Sequence, residues 1–463
     1  MEYITSNKGG VKLLYEGFVY VKSKTLKSGD VSFECEMHRN KKQCKARLRV
    51  NGDSVVGRYN YHTHAPDIGR AEAMKIRQSI KRRAVDTEET PQQVITQEMR
   101  IVSDSAAVKL QAIRNIRRCV RRYRQVAGNA PANPQTRADL ELPEKYTRTL
   151  ASQPFLLFDS GPVEDRILLF STDSLLRILE TSLDWFVDGT FKVVPGIFYQ
   201  LFTIHAMTNG HVVPCVFALL PNKQQATYVT LLRELHRLNP ELSPRSIMID
   251  FEITSRNALQ EVFPDATIQG CFYHLSQAIY RKVQSIGLQQ EYQTNLDLSL
   301  KIRMLAALAF VPVDDIVESF EHLADSMPDE AQPITDYFED TYIGRLQRRG
   351  RRRQPPFAHD MWSVHNRVEE GLPRTNNHIE GWHRRMQSNV GAHHPSIWHF
   401  LDVLRREQSL NEVIITQIRA GQPAPPQRGK YKAISERLLT VVGEYAYRPI
   451  LDFWRDFAYN IQT

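Results

Sequence analysis

The first 64 residues alternate between apolar and polar positions in the manner of β-strands. Runs of this kind cover residues 13–21, 31–35 and 46–50, and turn-forming residues at 27–30 and 51–53 separate them. A period of two is typical of strands that bury one face. The sequence therefore predicts a small β-rich module, which holds too little apolar material to be stable without a further cross-link.

After this module, over residues 69–140, the pattern becomes helical. Thr90-Pro91 and Asp104-Ser105 are helix-start signals, because such polar residues cap helices and Pro fits the first turn. Apolar side chains then recur at helical spacing at Val108, Ile113, Ile116 and Val120. We expect a basic helical region here, which ends in the Pro-rich linker 128–134.

From about residue 141 to 290, strand and helix patterns alternate. Buried-strand runs lie at 183–191, 198–207, 212–220, 246–250 and 266–271, and helical runs lie at 224–238 and 253–262. This order indicates an α/β domain with a mixed sheet whose first three strands are joined as hairpins. The helical pattern of residues 272–345 predicts a helical insertion over 291–370, before the domain is completed in 371–463.

Positive charge is concentrated in the first third of the chain. Residues 1–140 contain 27 Lys and Arg against 14 Asp and Glu, whereas the whole chain contains 60 against 52. The remaining residues therefore carry a small net negative charge. A basic segment attached to a slightly acidic body is typical of a polyanion-binding region, although a solvated basic surface has the same composition.

Composition also excludes some classes of protein. The hydrophobic content of 42% and the charged content of 24% are those of ordinary globular proteins. No stretch approaches the roughly 20 apolar residues of a membrane span, and the first residues have no secretory signal pattern. The five cysteines are scattered and odd in number, so we expect a reducing compartment and no disulfide framework.

Two thiols and two imidazoles in the β-rich module have the spacing of a metal site. Cys35 and Cys44 are followed by His62 and His64, and side chains two positions apart on an extended segment project from the same face. Sulfur and nitrogen ligation is typical of structural zinc, which would supply folding free energy to the small sheet. The alternative is a pair of isolated buried cysteines with an incidental histidine pair.

Residues 6–66 resemble the FLYWCH-type zinc finger. The resemblance rests on Gly17-Phe18-Val19-Tyr20, Phe33-Glu34-Cys35, Cys44-Lys45-Ala46-Arg47 and His62-Thr63-His64. Phe33 stands where the family usually has Trp, so an aromatic side chain still takes that position. The resemblance implies a zinc module within residues 1–68 that is related to DNA-binding folds.

Three carboxylates lie at the ends of predicted elements. Asp188 and Asp250 each close an apolar run, and Glu380 opens a helix. Asp250 lies at the carboxyl end of a buried strand, where open α/β sheets place their ligands. Three acids from separate segments can hold two hard divalent cations for phosphoryl transfer.

Each of the three acids also has a purely structural explanation. Asp188-Gly189 is a hairpin-turn signal, and Asp250 could cap the helix that begins near Ile253. Asn377 and Glu380 have the spacing of a capping box. The three acids together favour a shared site, since no other catalytic motif competes for it.

About residues 180–400 resemble the MULE (Mutator-like element) transposase domain. The resemblance rests on Asp188-Gly189-Thr190-Phe191, Asp250 with Glu252, the block Gly270–Ala278 that contains Cys271 and His274, and Asn376-Asn377-x-x-Glu380-Gly381. It implies an RNase H-like fold whose catalytic core is formed by residues 141–290 and completed within 371–463. It also implies a DDE triad of Asp188, Asp250 and Glu380 that binds two Mg²⁺ or Mn²⁺ ions.

Further residues are expected near this site without a firm role as metal ligands. Cys271 and His274 have the spacing of half a zinc site, but no second pair is evident nearby. Glu252, two residues beyond Asp250 on the predicted strand, could be an outer ligand or a substitute for a lost acid. His383 is expected at a solvated or DNA-facing position.

Two arginine-rich segments are candidates for contact with phosphates. The predicted helix that ends near residue 126 carries a basic stripe, which could follow a DNA backbone or be a solvated face. Its members are Arg114, Arg117, Arg118, Arg121, Arg122 and Arg124. The second segment fits nuclear import, a phosphate clamp or a solvated loop, and contains Arg345, Arg348, Arg349, Arg351, Arg352 and Arg353.

The sequence thus predicts a nuclear, DNA-binding DDE transposase of the MULE type that cleaves and transfers DNA strands. Structural zinc and catalytic Mg²⁺ or Mn²⁺ are the expected cofactors. DNA is the expected partner, assembly with further copies of the chain is left open, and no membrane partner is expected. A second hypothesis is a domesticated, non-cleaving zinc-finger host factor with a transcription-related role, and a third is a cellular nuclease on the same fold.

Overall fold

The computed structural model describes residues 1–5, 10–39, 43–87, 89–128, 130–348, 350–424 and 429–460. Contacts between residues divide the chain into two compact units, Met1–Ala132 and Asn133–Thr463. The finer division into five parts stays a prediction.

The first unit begins with an antiparallel sheet of six strands in sequence order. The strands are β1 (Glu2–Thr5), β2 (Val11–Tyr15), β3 (Phe18–Thr25), β4 (Val31–Cys35), β5 (Arg47–Asn51) and β6 (Ser54–Tyr59). Leu13, Tyr20 and Phe33 are among its core side chains. The single run predicted over 13–21 forms two strands, because Glu16 and Gly17 both have positive φ and turn the chain between β2 and β3.

Four helices complete the first unit: α1 (Ile68–Asp86), α2 (Pro91–Glu98), α3 (Asp104–Ala107) and α4 (Ile113–Ala127). Thr90 caps α2 with a capping box and Ser103 caps α3, so both helix-start signals lie where helices begin. Ile116 and Val120 of α4 are buried in a core shared with α1 and α2. Val108 is 83% exposed, so the predicted apolar set is only partly buried.

The second unit is built on a mixed sheet of seven strands. They are β7 (Leu156–Asp159), β8 (Leu168–Phe170), β9 (Asp184–Thr190), β10 (Gln200–Thr208), β11 (His211–Leu220), β12 (Ser246–Ile249) and β13 (Thr267–Gly270), in the order β13-β12-β9-β10-β11-β8-β7. Neighbours from β9 to β7 are antiparallel, whereas β12 is parallel to β9 and β13. The five strands from β9 to β13 lie close to their predicted positions. The short strands β7 and β8 were not predicted.

Helices cover much of the remaining chain. They are α5 (Glu144–Thr147), α6 (Asp173–Thr181), α7 (Gln225–Leu238), α8 (Ile253–Val262), α9 (Phe272–Ser285), α10 (Gln289–Thr294), α11 (Leu296–Ala307), α12 (Ile316–Asp325), α13 (Gln332–Phe338), α14 (His359–Trp362), α15 (His365–Glu369), α16 (Asn377–Val390), α17 (Ile397–Arg419), α18 (Gly429–Gly443) and α19 (Ile450–Asn460). Among the described residues, no helix is both long enough and apolar enough to cross a membrane.

The sheet brings the first two acids to the same place. Asp188 lies inside β9 and pairs with Thr203 of β10, so it is not a hairpin-turn residue. Ser246 lies opposite Asp184 in the parallel pair of β12 and β9. The same register continued along both strands brings Asp250, directly after β12, level with Asp188.

We expect Gly17→Ala to destabilise the six-stranded sheet more than Gly29→Ala. Gly17 and Gly29 have φ values of +76° and +86°, so alanine is strained at both positions. Only at position 17 would the new Cβ also lie 2.9 Å from Pro66 Cβ, whereas nothing lies within 4 Å at position 29. The expected loss of folding free energy is about 2–3 kcal/mol for Gly17→Ala and about 1 kcal/mol for Gly29→Ala.

Hydrogen exchange of β2 and β3, followed by mass spectrometry on the full chain, measures this difference. Equal protection in the two variants would contradict the expected clash with Pro66.

Candidate functional site

Four sulfur and nitrogen atoms meet beside the six-stranded sheet. Cys35 ends β4, Cys44 precedes β5, and His62 and His64 follow β6; their ligand atoms all lie within 4.8 Å of one another. Cys35 Sγ is 3.2 Å from His64 Nε2, and Cys44 Sγ is 3.4 Å from His62 Nδ1. Within the described ranges, no other group of three or more Cys, His, Asp or Glu side chains is gathered this closely.

Neighbouring groups determine which nitrogen of each histidine faces the thiols. Tyr20 Oη lies 2.7 Å from His62 Nε2, which leaves Nδ1 of that ring for the cluster. His64 Nδ1 donates to Ala65 O at 3.0 Å, so Nε2 is free to act as a ligand. Phe18 stacks on His62 with a centroid separation of 3.6 Å. Such partners orient metal-binding imidazoles.

The two thiols differ in how readily they ionise. Burial raises the pKa of Cys35 to about 11. Burial also opposes the ionisation of Cys44, but hydrogen bonds from the backbone of Ala46 and Thr63 outweigh it and lower the pKa of Cys44. A bound cation would favour the thiolate of both residues. Two thiols and two oriented imidazoles fit zinc, and the cluster supports a structural zinc site.

In the second unit, two carboxylates flank one imidazole, and Asp188 lines the same pocket as one of them, Asp250. His274, in the first turn of α9, has Nδ1 2.7 Å from Asp250 Oδ1 and Nε2 3.9 Å from Glu380 Oε1. The first pair is at ion-pair distance, although the N–H is not aligned for a hydrogen bond. Because the ring stands between Asp250 and Glu380, the acids are less closely gathered than the Cys/His cluster. The structure brings the predicted triad residues together, while their catalytic role stays a prediction.

The charges of these groups depend on one another. Burial raises the pKa of Asp188 well above its ordinary value, and Asp250 raises it further, while His274 lowers it. Burial opposes the charging of His274, but Asp250 and Cys271 outweigh burial and raise its pKa to about 11. The imidazolium form of His274 is therefore favoured, and its charge would balance part of the carboxylate charge.

Cys271 joins the end of the sheet to the start of α16. Its thiol donates to Asn376 Oδ1 at 3.0 Å, and its sulfur accepts from the Asn376 backbone N–H at 3.3 Å. Asn376 Nδ2 donates to Asp250 Oδ1 at 3.4 Å. The Asn376 side chain thus holds Cys271 and Asp250 and makes no capping bond to α16. Sequence reasoning placed Asn376 in a motif but did not identify this contact.

Glu252 lies beside the acids, but both its oxygens are occupied. Lys223 Nζ is 2.7 Å from Oε2, while the hydroxyls of Tyr228 and Thr254 each donate to Oε1 at 2.9 Å. The sequence predicts that Glu252 continues the strand that leads to Asp250. This prediction is wrong, because β12 ends at Ile249 and Glu252 immediately precedes α8. These contacts make Glu252 an anchor for Lys223.

His383 lies beside Asp188 and is largely shielded from solvent, so of the two positions expected from the sequence the solvated one is wrong and the DNA-facing one stays a prediction. Its Nδ1 lies 3.4 Å from Asp188 Oδ2, and burial lowers the pKa of His383 to about 4. His205 of β10 is buried next to Thr203, with Nε2 3.1 Å from Oγ1, and burial lowers its pKa. One feature of the sequence indicated that His383 lies near the acids. Residues three apart on a helix share a face, and His383 follows Glu380 by three positions.

The arginines predicted to contact DNA are exposed on α4. Arg114, Arg117, Arg118, Arg121 and Arg122 have no carboxylate at ion-pair distance among the described residues. Their role in DNA binding stays a prediction.

Arg124, on the same helix, is not part of an exposed stripe. Its guanidinium donates to the carbonyls of Ala84, Thr87 and Glu89. These hydrogen bonds hold α4 against the end of α1 and the segment that follows it.

The second arginine-rich segment is partly held within its own unit. Arg352 donates to Glu339 at 2.7 Å and to Glu321 at 2.8 Å, and Arg345 pairs with Asp340 at 2.6 Å. Arg349 lies outside the described residues.

Two family models match the chain. The FLYWCH zinc finger domain matches residues 3–64, and the MULE transposase domain matches residues 185–278. The first segment includes all four residues of the Cys/His cluster. The second includes Asp188 and Asp250 and ends before Glu380. No curated protein matches the chain. The resemblance to both families is thereby confirmed, and the pair of domains indicates a transposase-related, DNA-binding protein.

We expect the full chain to retain one zinc ion and to lose it in Cys35→Ser. The substitution removes a ligand that the rest of the cluster cannot replace, so the small sheet should lose its main source of stability. Cys119→Ser is the matched control, because Cys119 lies outside the cluster. Metal content by mass spectrometry and hydrogen exchange of β4 to β6 provide the measurement. Equal zinc content in the two variants would contradict the assignment.

Proposed function

We propose that the chain is a MULE-type DDE transposase, which binds DNA and then cleaves and joins DNA strands at Asp188, Asp250 and Glu380. The observation that carries the proposal is that Asp250 and Glu380 flank His274, while Asp188 lines the same pocket as Asp250. The mixed sheet, with three hairpin-connected strands extended by two parallel ones, supports the RNase H-like fold that the family resemblance implies.

The charge balance of the acids supports a role with divalent cations. Asp188 is only 8% exposed and adjoins two further carboxylates, an arrangement that costs stability unless positive charge compensates it. His274 supplies one positive charge, while a DNA phosphate would add another negative one. Carboxylate oxygens suit Mg²⁺ and Mn²⁺, so the donor set fits these ions by its chemistry.

In this proposal the three acids hold the ions, and other side chains keep the acids in place. When bound, the ions would activate a water or a DNA 3′-hydroxyl and stabilise the leaving oxygen. Asn376 orients Asp250 through its amide, and His383 packs against Asp188.

The residues around the acids favour direct hydrolysis without a covalent enzyme intermediate. The Cys271 thiol is bound to Asn376, and the Tyr228 hydroxyl is bound to Glu252. The Asn376 amide oxygen is not a general base, and burial raises the pKa of the Tyr228 hydroxyl, so neither group is an activated nucleophile.

The first unit would supply most of the DNA affinity. The FLYWCH match and the exposed arginines of α4 support this part of the proposal. Nuclear localisation follows from action on chromosomal DNA and belongs to the same proposal.

We expect Asp188→Asn to lower the rate of Mg²⁺-dependent DNA nicking by about 100-fold or more, while DNA affinity is unchanged. Replacement of partners outside the metal shell already costs about 10–100-fold in comparable sites, and Asp188 would itself be a ligand. Asp265→Asn is the matched control, since Asp265 is an exposed carboxylate outside the acidic cluster. Nicking of supercoiled DNA with and without Mg²⁺ or Mn²⁺ is the measurement.

If the wild-type protein binds DNA and does not nick it under any of these conditions, the non-cleaving host factor replaces the transposase. Equal activity of Asp188→Asn and the wild type would remove the acids from the mechanism.

Joint replacement of Arg117, Arg118, Arg121 and Arg122 by Gln should weaken binding to all DNA sequences about equally. Each lost phosphate contact should reduce the slope of log K against log salt by roughly 0.9. Arg124→Gln is the control on the same helix, because Arg124 faces backbone carbonyls. It should lower the stability of the first unit and leave the slope unchanged. An unchanged slope in the fourfold variant would mean that α4 presents a solvated face.

A further inference from the structure

Two aromatic side chains near the acids are exposed, although the loop between them is packed against the unit. Phe191 directly follows β9 and is 38% exposed, and Tyr199 directly precedes β10 and is 52% exposed. Between them, Val193, Val194 and Phe198 are at most 4% exposed. The loop therefore buries these three apolar side chains and presents two rings to solvent, with the Tyr199 ring edge-on to Phe191 at a centroid distance of 5.5 Å.

Contacts from distant parts of the unit fix this loop. His394 Nδ1 lies 3.2 Å from Val194 O, and the His394 backbone N–H donates to Lys192 O at 3.4 Å. Arg137 donates to Ile197 O at 2.5 Å. Because hydrogen bonds hold the loop backbone at three points, the loop keeps both rings in their exposed positions.

A lysine links the exposed rings to the acids. Lys223 Nζ lies 4.6 Å from the centre of the Phe191 ring and 2.7 Å from Glu252 Oε2. Phe191 and Lys223 line one small pocket together with Asp188 and Asp250. Ring, ammonium group and carboxylates thus border the same space.

Lys223 is held in this position by a chain of hydrogen bonds. Glu252, which pairs with Lys223, accepts from Tyr228 Oη, and Tyr228 Oη accepts from Gln200 Nε2 at 2.8 Å. Gln200 also lies against Gly189, where an added Cβ would be 2.6 Å from Gln200 Oε1. The lysine is therefore positioned through Gln200 of β10, which pairs with β9, the strand that carries Asp188.

We propose that Phe191, Tyr199 and Lys223 form a subsite for an unpaired nucleotide next to the phosphate that is cleaved. The two rings lie at 66° to each other, so the base would stack on the face of one ring with the other ring against its edge. Lys223 would contact the phosphate of the same nucleotide. Aromatic side chains bind bases in this way with little regard to sequence, because every base has a π-face. A base inside an intact duplex is covered by its neighbours, so the subsite selects an end or a distorted step. This inference rests on the proposed function and names the form of its DNA substrate.

The test measures how the full chain binds two DNAs of identical sequence without added Mg²⁺. One is fully paired, and the other has a short unpaired end that carries the fluorescent base 2-aminopurine. The wild type should bind the second DNA more tightly and quench its fluorescence by stacking. The double variant Phe191→Leu, Tyr199→Leu keeps apolar bulk and removes both π-faces. It should lose roughly 5- to 100-fold in affinity for the unpaired DNA and keep its affinity for the duplex.

Tyr447→Leu is the matched control, because Tyr447 is 89% exposed and, unlike Tyr199, does not pack against the Phe191 ring that lines the pocket. It should behave as the wild type. The conservative double variant Phe191→Tyr, Tyr199→Phe retains both rings and should keep the preference for unpaired DNA, which separates stacking from a general loss of folding. A wild-type affinity ratio and wild-type quenching in the leucine variant would overturn the proposal. The proposal would also be overturned if the leucine variant kept its preference for unpaired DNA but sedimented differently from the wild type. That result would mean that the two rings contact another copy of the protein.

A nicking assay on the wild type separates this inference from the proposed function. Nicking without a preference for unpaired DNA contradicts the subsite alone. A preference for unpaired DNA without nicking supports the subsite and contradicts the cleavage activity.

Discussion

The parallel pairing of β9 with β12 brings two carboxylates, Asp188 and Asp250, to the same edge of a buried sheet. Burial and the neighbouring Asp250 carboxylate raise the pKa of Asp188, whereas His274, which lies beside Asp250, and the Gly189 backbone N–H lower it. The helices next to the sheet supply the other residues that contact these acids. The first turn of α9 delivers His274, and the start of α16 delivers Glu380 together with Asn376, which binds Asp250. If β12 were shifted along β9, all of these contacts would be lost together.

The two clusters of ligands are assembled in different ways. In the first unit, four donor atoms already lie within reach of one ion, and Tyr20, Phe18 and Ala65 hold the histidine rings in place. In the second unit, His274 separates two of the acids. A preassembled cluster suits an ion that is part of the fold, whereas a looser set of carboxylates suits ions that arrive with a substrate.

Local features of the fold were predictable where the signal lies within a few residues. Buried apolar runs located the five strands from β9 to β13, and polar caps located the starts of α2 and α3. The sequence pattern predicts one run where the structure has the paired strands β2 and β3, because the turn at Glu16 and Gly17 depends on backbone conformation more than on polarity. The strands β7 and β8 are too short to show a period.

The contacts that shape the acidic site could not be read from spacing. Asn376 reaches Asp250 and Cys271 across more than a hundred residues of chain, and Glu252 meets Lys223 only because α8 begins next to the sheet. Motif resemblance named most of these residues without showing which of them touch. The burial of His383 likewise depends on how α16 packs on β9.

Because α16 lies late in the chain, the Cys/His cluster and the acidic site are completed at different stages of synthesis. The first unit is complete by Ala132, whereas Asn376 and Glu380 lie beyond the helices that follow β13. If synthesis stopped between Ala132 and Asn376, the product would contain the Cys/His cluster and the basic helix α4. It would lack Asn376 and Glu380 of the acidic site. On the proposed function, such shortened products would bind the same DNA as the complete protein without cutting it. A gene with a premature stop codon would then encode a competitive inhibitor of the complete protein.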